Sequence, residues 1–398
     1  MPPVTYRLLS TLLLLFTIIA SQTAAAGNRE TIIGFHEPIG PAQRALIAQL
    51  GGKIHHEFSL IPAVTAEIPD SGLLALSKHP MVAYVEEDGT VTRIKEQRSP
   101  PNRLSPPPAT LRAASTDEEY QNAWGVQHIG SEFAHIQGIT GQGVKIAVID
   151  SGIDYNHEEL DGNYAGGYDF VNDDNDPMDD TYNSHGTNVA GIIAAERNGI
   201  GVVGVAPDAS LYALKVLTSI GTGLTSSTVA AIEWAVTNGM DIINISIQGE
   251  HRESLQAACD AAYNAGLLII AAAGNTSGQA VSYPATYDSV VAVTSTDEND
   301  SLPDYAPFGA EVELSAPGDK IYSTARVYRG YTTLSGTSQA APHVTGLAAL
   351  ILSSGRLTDL NNDTVVDNRD LRLKLQEAID DLGDPGRDEL FGFGLVNT

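Results

Sequence analysis

One cysteine, Cys259, stands in 398 residues, so no intramolecular disulfide can form. Basic side chains are scarce, 22 Lys and Arg against 49 Asp and Glu, for a formal charge of −27. A polyanionic partner, nucleic acid or an acidic lipid surface, would need a basic face that this composition does not supply. Aromatics make up 6% and charged residues 18%, beside 42% hydrophobic residues, which excludes both a disordered chain and a coiled coil. The apolar run Leu8 to Ala20 falls short of the ~20 residues that span a bilayer. With Arg7 before it and Thr23-Ala24-Ala25-Ala26 after it, the run reads as an export signal over residues 1–26, and a signal-anchor is the alternative. No Cys follows it, which excludes lipid attachment there. Cys259 sits in the helix-like stretch Leu255 to Ala265 and reads as a small core residue. An exported chain without a disulfide calls for another stabiliser.

The length suits two or three domains, and the charge is unevenly placed. Residues 1–114 hold 9 acidic and 10 basic side chains, whereas residues 115–398 hold 40 and 12. Residues 31–92 alternate short strand-like and helical stretches: strands near 31–35, 53–60, 64–68 and 82–85, helices near 41–50 and 71–78. This is a compact α+β pattern. Residues 93–118 are Pro-rich and basic at first (Arg93, Lys95, Arg98, Arg103, Arg112) and read as an exposed linker open to proteolysis. From Gly141 onward, buried-type strands (144–149, 211–216, 241–247, 267–273, 290–294) alternate with helical stretches (187–196, 226–238, 252–265). That alternation predicts an α/β domain over 119–398, a mostly parallel sheet with helices on both faces.

Three segments carry chemistry. Val148-Ile149-Asp150-Ser151-Gly152 is a buried strand ending on an acid. His185-Gly186-Thr187-Asn188-Val189-Ala190-Gly191 opens a helix of small residues. Ser335-Gly336-Thr337-Ser338-Gln339-Ala340-Ala341-Pro342-His343 puts a serine at the start of a long apolar helix. Each alone has a plain structural explanation, a turn cap or a helix cap. Together they supply an acid, an imidazole base and a hydroxyl nucleophile. A serine hydroxyl needs a base near pH 7, and the imidazole needs a carboxylate to hold its tautomer. The Ser338 backbone N–H and the Asn275 side chain could donate to a developing oxyanion.

With Ala272-Ala273-Gly274-Asn275, these segments resemble the subtilisin-like serine protease family from about Trp124 to Val396. The resemblance implies a subtilisin-like fold and a serine endopeptidase. Asp150 becomes the orienting acid, His185 the general base, Ser338 the nucleophile and Asn275 the oxyanion donor. Two positions depart from the family pattern: Asn188 stands where a second His is usual, and Gln339 where Met is usual. The resemblance also implies that Ser246, Ile247, Gln248 and Gly249 pair with an extended polypeptide substrate and wall its first pocket. Ala273, Gly274 and Ser282 complete that pocket. None of these is acidic, so apolar or aromatic residues are expected before the cut bond. Gln248, where Gly is frequent, is expected to narrow the pocket. Residues 31–92 resemble the family's inhibitor-type propeptide in Gly51-Gly52-Lys53 and Val82-Ala83-Tyr84-Val85-Glu86-Glu87-Asp88, which implies an autoprocessed zymogen cut between Arg93 and Ser115. An ordinary accessory domain is the alternative.

Calcium ions are the expected stabiliser. Asp359, Asn361, Asp363 and Asp370 take positions one, three, five and twelve of a loop that resembles the EF-hand-like loop of dockerins, with Thr364 where Gly is usual. An acidic surface turn is the alternative, and with a single loop no cohesin partner is expected. Asp173, Asp174, Asp176 and Asp179, with Asp180, crowd one loop and would repel unless screened. Glu159 and Asn198 match a further calcium site of the family, joined by a side chain near the mature N-terminus, Gln121 being the candidate. A secreted monomer acting on polypeptides is expected, inhibited and chaperoned by its own propeptide, with no nucleic-acid partner and no stable membrane association. A fold-retaining binding module would be expected to lack a triad member. A lipase-like hydrolase would need Gly-x-Ser-x-Gly, and a dinucleotide enzyme a Gly-rich turn after its strand; neither pattern is present.

Overall fold

The computed structural model describes residues 27–96, 117–326 and 330–398. The expected export signal and most of the expected linker lie outside the described residues. The N-terminal part is a four-stranded antiparallel sheet in the spatial order Lys53–Glu57, Ala63–Pro69, Asn28–Phe35, Val82–Glu87. Alternate residues of its strands face opposite ways. Ile33, Phe35, Val64, Ala66 and Ile68 pack with Leu46, Ile47 and Leu76 from the helices Pro41–Gln49 and Asp70–Ser77. Ile32 and Ala63 face the other way and join the core of the larger part.

Polar contacts reinforce this seam. Ser226 donates from its backbone N–H at 2.9 Å and from Oγ at 2.6 Å to Asp88, at the start of the helix Thr225–Thr237. Glu86 accepts from the Glu253 and Ser254 backbone at the start of the helix Glu253–Asn264. Both carboxylates cap helix N-termini, where unpaired N–H groups and the helix dipole favour negative charge. Glu233 Oε2 accepts from the Ser59 and Leu60 N–H groups at 2.7 and 2.9 Å.

The larger part is built on a sheet that runs, in spatial order, Ile379–Asp380, Leu395–Val396, Leu314–Pro317, Val290–Thr296, Leu268–Ala272, Ile242–Ile245, Lys145–Asp150, Ser210–Lys215, Tyr164–Asp169. Every neighbouring pair is parallel except the first, which closes the edge antiparallel. The central strands are buried on both faces, as continuous apolar runs require. Ile146, Val148, Leu268 and Ile270 face one core, which includes Val189 and Ile193 of the helix His185–Ala194 and Val344 and Leu347 of the helix Thr337–Ser353. Ala147, Ile149, Ile269 and Ala271 face the other, with Val229, Ile232, Leu255 and Cys259. Burial raises the Cys259 thiol pKa well above its ordinary value, so it is an inert core residue as expected. After Lys145–Asp150 the chain continues to neighbours on one side, then returns to Ile242–Ile245 on the other. This topological switch point is where open α/β sheets place their sites.

The structure differs from the sequence reading in places. Arg93 to Glu96 do not begin an exposed linker: Arg93 closes a strand Thr90–Arg93, and Ile94 is fully buried. The strand Tyr164–Asp169 was not expected because its Gly-rich sequence has no apolar run. The helix Asn368–Glu377 ends just before Ile379, which pairs with Val396 at the sheet edge. Among the described residues, no helix is long and apolar enough to cross a membrane.

Candidate active site

Asp150 is the last residue of its strand and is fully buried. Its neighbour helix comes this close only because residue 186 is glycine. A Cβ there would lie 2.2 Å from the Gly152 carbonyl oxygen and 3.2 Å from Asp150 Oδ1. Asp150 Oδ1 accepts from His185 Nδ1 at 2.7 Å. That bond places a ring proton on Nδ1 and leaves Nε2 as the acceptor of the neutral imidazole. Burial opposes charge on the ring, but Asp150 and then Glu96 outweigh it, and the imidazole pKa stays above its ordinary value.

Ser338 opens the second helix on the same face of the sheet. Pro342 carries no N–H, so the Ser338 carbonyl loses its helical donor; Ser246 Oγ supplies one at 3.2 Å. The Ser338 hydroxyl in turn donates to Ser246 O at 3.3 Å. The link from Ser338 to His185 is not made in this state. His185 Nε2 is buried without a hydrogen bond, and Glu96 Oε1 stands 3.3 Å from it. Asn183 Nδ2 donates to the same Glu96 oxygen at 3.1 Å, and Arg93 Nη1 holds the other at 2.6 Å.

Asn275 follows the strand Leu268–Ala272. Thr337 N–H donates to its Oδ1 at 3.0 Å, which fixes the amide so that Nδ2 faces the cleft and donates to Lys95 O at 2.9 Å. Gly336 is required here, since a Cβ on it would come within 2.7 Å of that Nδ2. The segment Thr90–Arg93 enters the cleft as a middle strand, antiparallel to Ile247–Gln248 on one side and Thr222–Leu224 on the other. Ser246, Ile247, Gln248 and Gly249 form the near wall. Gly249 N–H donates to Tyr283 O at 3.0 Å, and Ser282 N–H to Ala273 O at 2.8 Å, which ties that wall to Ala273 and Gly274. Ser282 Oγ donates to Gln248 Oε1 at 3.3 Å, so the Gln248 side chain reaches across between the walls. The Thr222–Leu224 wall, Asn183 and Glu96 escaped the sequence reading; the signal for the first was the Gly-rich run Gly221-Thr222-Gly223.

A buried acid–imidazole pair, a serine at a helix start and an oriented amide donor surround one extended strand. Residues 141–394 match the Subtilase family. The chain belongs to the subtilase family. This subtilase is 38% identical to the thermostable alkaline protease of Halalkalibacterium halodurans over 98% of its own length and 96% of that protein's. It is 37% identical to subtilisin NAT of Bacillus subtilis subsp. natto over the same shares. Its fold superposes on fervidolysin of Fervidobacterium pennivorans, described as a keratinolytic enzyme related to subtilisin, with a TM-score of 0.81 and 25% identity. That match covers 94% of this chain and 60% of fervidolysin. The subtilase is a serine endopeptidase, with the α/β architecture and small N-terminal α+β part expected of it.

The expected calcium residues divide. Glu159 is buried; Val202 N–H and Tyr331 OH donate to its Oε1, both at 2.9 Å, while Oε2 is buried without a partner. Burial raises its carboxyl pKa to about 7. Glu119 lies at the same loop, accepting from Gly199 N–H at 2.8 Å, and burial raises its pKa as well. Asn198 Oδ1 accepts from Ile200 N–H at 3.2 Å. Two buried carboxylates beside a loop, one with an orphaned oxygen, fit a divalent cation. Glu119 reaches this loop from the helix Glu118–Asn122, which also carries Gln121.

In the other two sets the carboxylates have partners within the protein. Asp179 is fully buried, and Ser151, Thr181 and Thr187 donate to both of its oxygens, which leaves no lone pair for an ion. Asp173 and Asp176 each accept from a tyrosine hydroxyl at 2.6 Å, Asp174 from the Asp176 N–H at 2.9 Å, and Asp180 from buried Lys215 at 2.7 Å. The loop's repulsion is relieved partner by partner. Asp370 faces inward and accepts from the Leu360, Asn361 and Asp367 N–H groups. Asp359, Asn361 and Asp363 accept from backbone N–H groups of their own turn. Among the described residues, the single set of three carboxylate or imidazole ligand atoms within 4.8 Å of one another is Glu30, His55 and Glu67, elsewhere on the N-terminal sheet.

Proposed function

We propose that this subtilase is a secreted, calcium-stabilised endopeptidase made as a self-cleaving zymogen, with Asp150, His185, Ser338 and Asn275 as its machinery. Ser338 Oγ attacks the peptide carbonyl carbon and passes its proton to His185 Nε2. The oxyanion is held by Asn275 Nδ2 and the Ser338 N–H. The imidazolium, steadied by Asp150, then protonates the leaving amine, and water repeats the sequence to release the acyl group. One observation carries the reading: the chain's own strand Thr90–Arg93 lies in the cleft as an added strand and brings the Lys95 carbonyl within 2.9 Å of Asn275 Nδ2.

That pose supports Ile94–Lys95–Glu96 as the place of self-cleavage. The buried Ile94 side chain favours the first bond, and the Asn275 contact favours the second. Residues 27–93 then act as folding template and inhibitor, docked by Asp88, Glu86 and Glu233. The pocket walls contain no acid to pair with a basic residue, and the reach of Gln248 narrows the space, which supports a preference for apolar or aromatic side chains before the cut. Glu119, Glu159 and Asn198 would hold the calcium ion, which would offset the charge of the buried carboxylates and contribute stability by linkage. The subtilisins and alkaline proteases with which the chain aligns over 98% of its length support secretion, and we propose a monomer.

The test is digestion of casein by wild type and Ser338→Ala, with and without a serine-directed covalent inhibitor, and with the cuts mapped by mass spectrometry. Loss of activity by ~10⁶-fold in the variant is expected, the order seen when a subtilisin nucleophile is removed. Full activity in Ser338→Ala would refute the mechanism, and cuts confined to bonds after Arg or Lys would refute the pocket.

A further inference from the structure

Two buried amides in the site have no part in the mechanism above. Asn188 lies one turn into the His185–Ala194 helix, and Gln339 directly follows Ser338; both are fully buried. They are the two positions at which the sequence departs from its family's pattern, and they meet. Gln339 Nε2 donates to Asn188 Oδ1 at 3.3 Å across 151 residues of chain.

Asn188 Nδ2 donates to the backbone carbonyl of Thr324 at 3.3 Å, and a carbonyl can only accept, so Asn188 must turn Oδ1 toward Gln339. Gln339 must then present Nε2, and its Oε1 faces away. That oxygen is buried with no partner. It lies at Gly336, where a Cβ would come within 3.2 Å of it and 2.7 Å of Asn275 Nδ2. A polar chain thus runs from Thr324 through the His185 helix to the Ser338 helix and ends beside the oxyanion donor.

The same edge of the molecule clamps the His185 helix separately. Thr324 Oγ1 donates to Thr187 O at 2.7 Å and Ser323 Oγ to Asn188 O at 3.0 Å. Apolar packing between the two helices sets their spacing but, being non-directional, leaves their offset along one another loosely defined. A directional hydrogen bond removes that freedom. An apolar pair could fill the same volume without leaving Oε1 unpaired, so the amides contribute direction at some expense in stability.

We propose that Asn188 and Gln339 are a positioning pair that sets the offset of the His185 helix against the Ser338 helix, and with it the reach of His185 Nε2 to Ser338 Oγ. This rests on the catalytic roles given above. The test compares mature wild type with Asn188→Ala, Gln339→Met and the Asn188→Ala/Gln339→Met double variant on a chromogenic peptide. Each single change is expected to lower kcat about ten- to a hundredfold, the scale of a small misalignment of reacting groups, with KM within about twofold. The double variant should be no slower than the worse single, because either change breaks the one link. The rate of inactivation by a serine-directed covalent inhibitor should fall in step with kcat, since it reports Ser338 activation without substrate contacts. Gln339→Met fills most of the volume and removes the donor, so it carries the test if Asn188→Ala does not fold. Additive effects, or lowered melting temperatures with unchanged kcat and inactivation rate, would overturn the proposal. Activity surviving in Ser338→Ala would overturn the underlying mechanism instead.

Discussion

At the scale of single residues, the site is held by hydrogen bonds that each admit one direction. Thr337 N–H can only donate, so Asn275 must offer it Oδ1 and turn Nδ2 to the cleft. Pro342 removes one helical donor, and Ser246 replaces it from another strand. The residue after the nucleophile is Gln339, which has no thioether to oxidise. Hydrogen peroxide at concentrations that convert exposed methionines to sulfoxides should therefore leave most of the activity on a small peptide intact. Rapid parallel loss of activity, with Met178 and Met240 unmodified by mass spectrometry, would contradict this. The sequence singles out Asp150, His185, Ser338 and Asn275, because each sits in a short motif whose residue types have a chemical reason, and the structure places them around one cleft. The sequence does not single out Glu96 and Glu119. Nothing local distinguishes them from the other acidic side chains of an acidic protein, and only their burial beside His185 and Glu159 does so.

At the scale of elements, the strand Thr90–Arg93 matters most, because it carries Glu96 to the His185 imidazole. With that strand in the cleft, His185 stands between two carboxylates, Asp150 at 2.7 Å and Glu96 at 3.3 Å, with the Arg93 guanidinium also near. Its pKa is raised, and only the neutral ring can accept the Ser338 proton. Self-cleavage should therefore be slow at pH values below the raised pKa and quicken as pH rises through it. Glu96→Gln removes the second negative charge, which lowers the pKa and moves that onset to lower pH. Following the cut by electrophoresis across pH 5 to 9 in both proteins tests this; an onset unmoved, or moved upward, would sink it. The sequence showed the strands and helices of 31–92 from their periodicity. It hid Thr90–Arg93 because a strand of four polar and β-branched residues has meaning only between its two partners.

At the scale of the whole molecule, a buried carboxylate couples stability to pH. Glu159 titrates at about 7 in the folded protein against 4.5 ordinarily. Without a cation, the unfolded chain ionises first as pH rises from 4.5, so the folded state loses stability from there up to about pH 7. The melting temperature of the chelator-treated protein should fall over that window, and calcium should restore it. Glu159→Gln should flatten the pH dependence and weaken the calcium effect, with calorimetry as the readout. A chelator that leaves the melting temperature unchanged at pH 8 would remove calcium from this account. What the sequence determined by itself was the fold class, the cleft chemistry and the presence of a separate N-terminal part. Local periodicity reports which face of an element is buried, and short motifs carry reactive groups whole. Tertiary structure alone decided which of many acidic residues are buried and orphaned, and which loop carboxylates are already partnered. It also decided which segment lies across the cleft. Those outcomes depend on distances between residues far apart in the chain, and a linear order does not contain them.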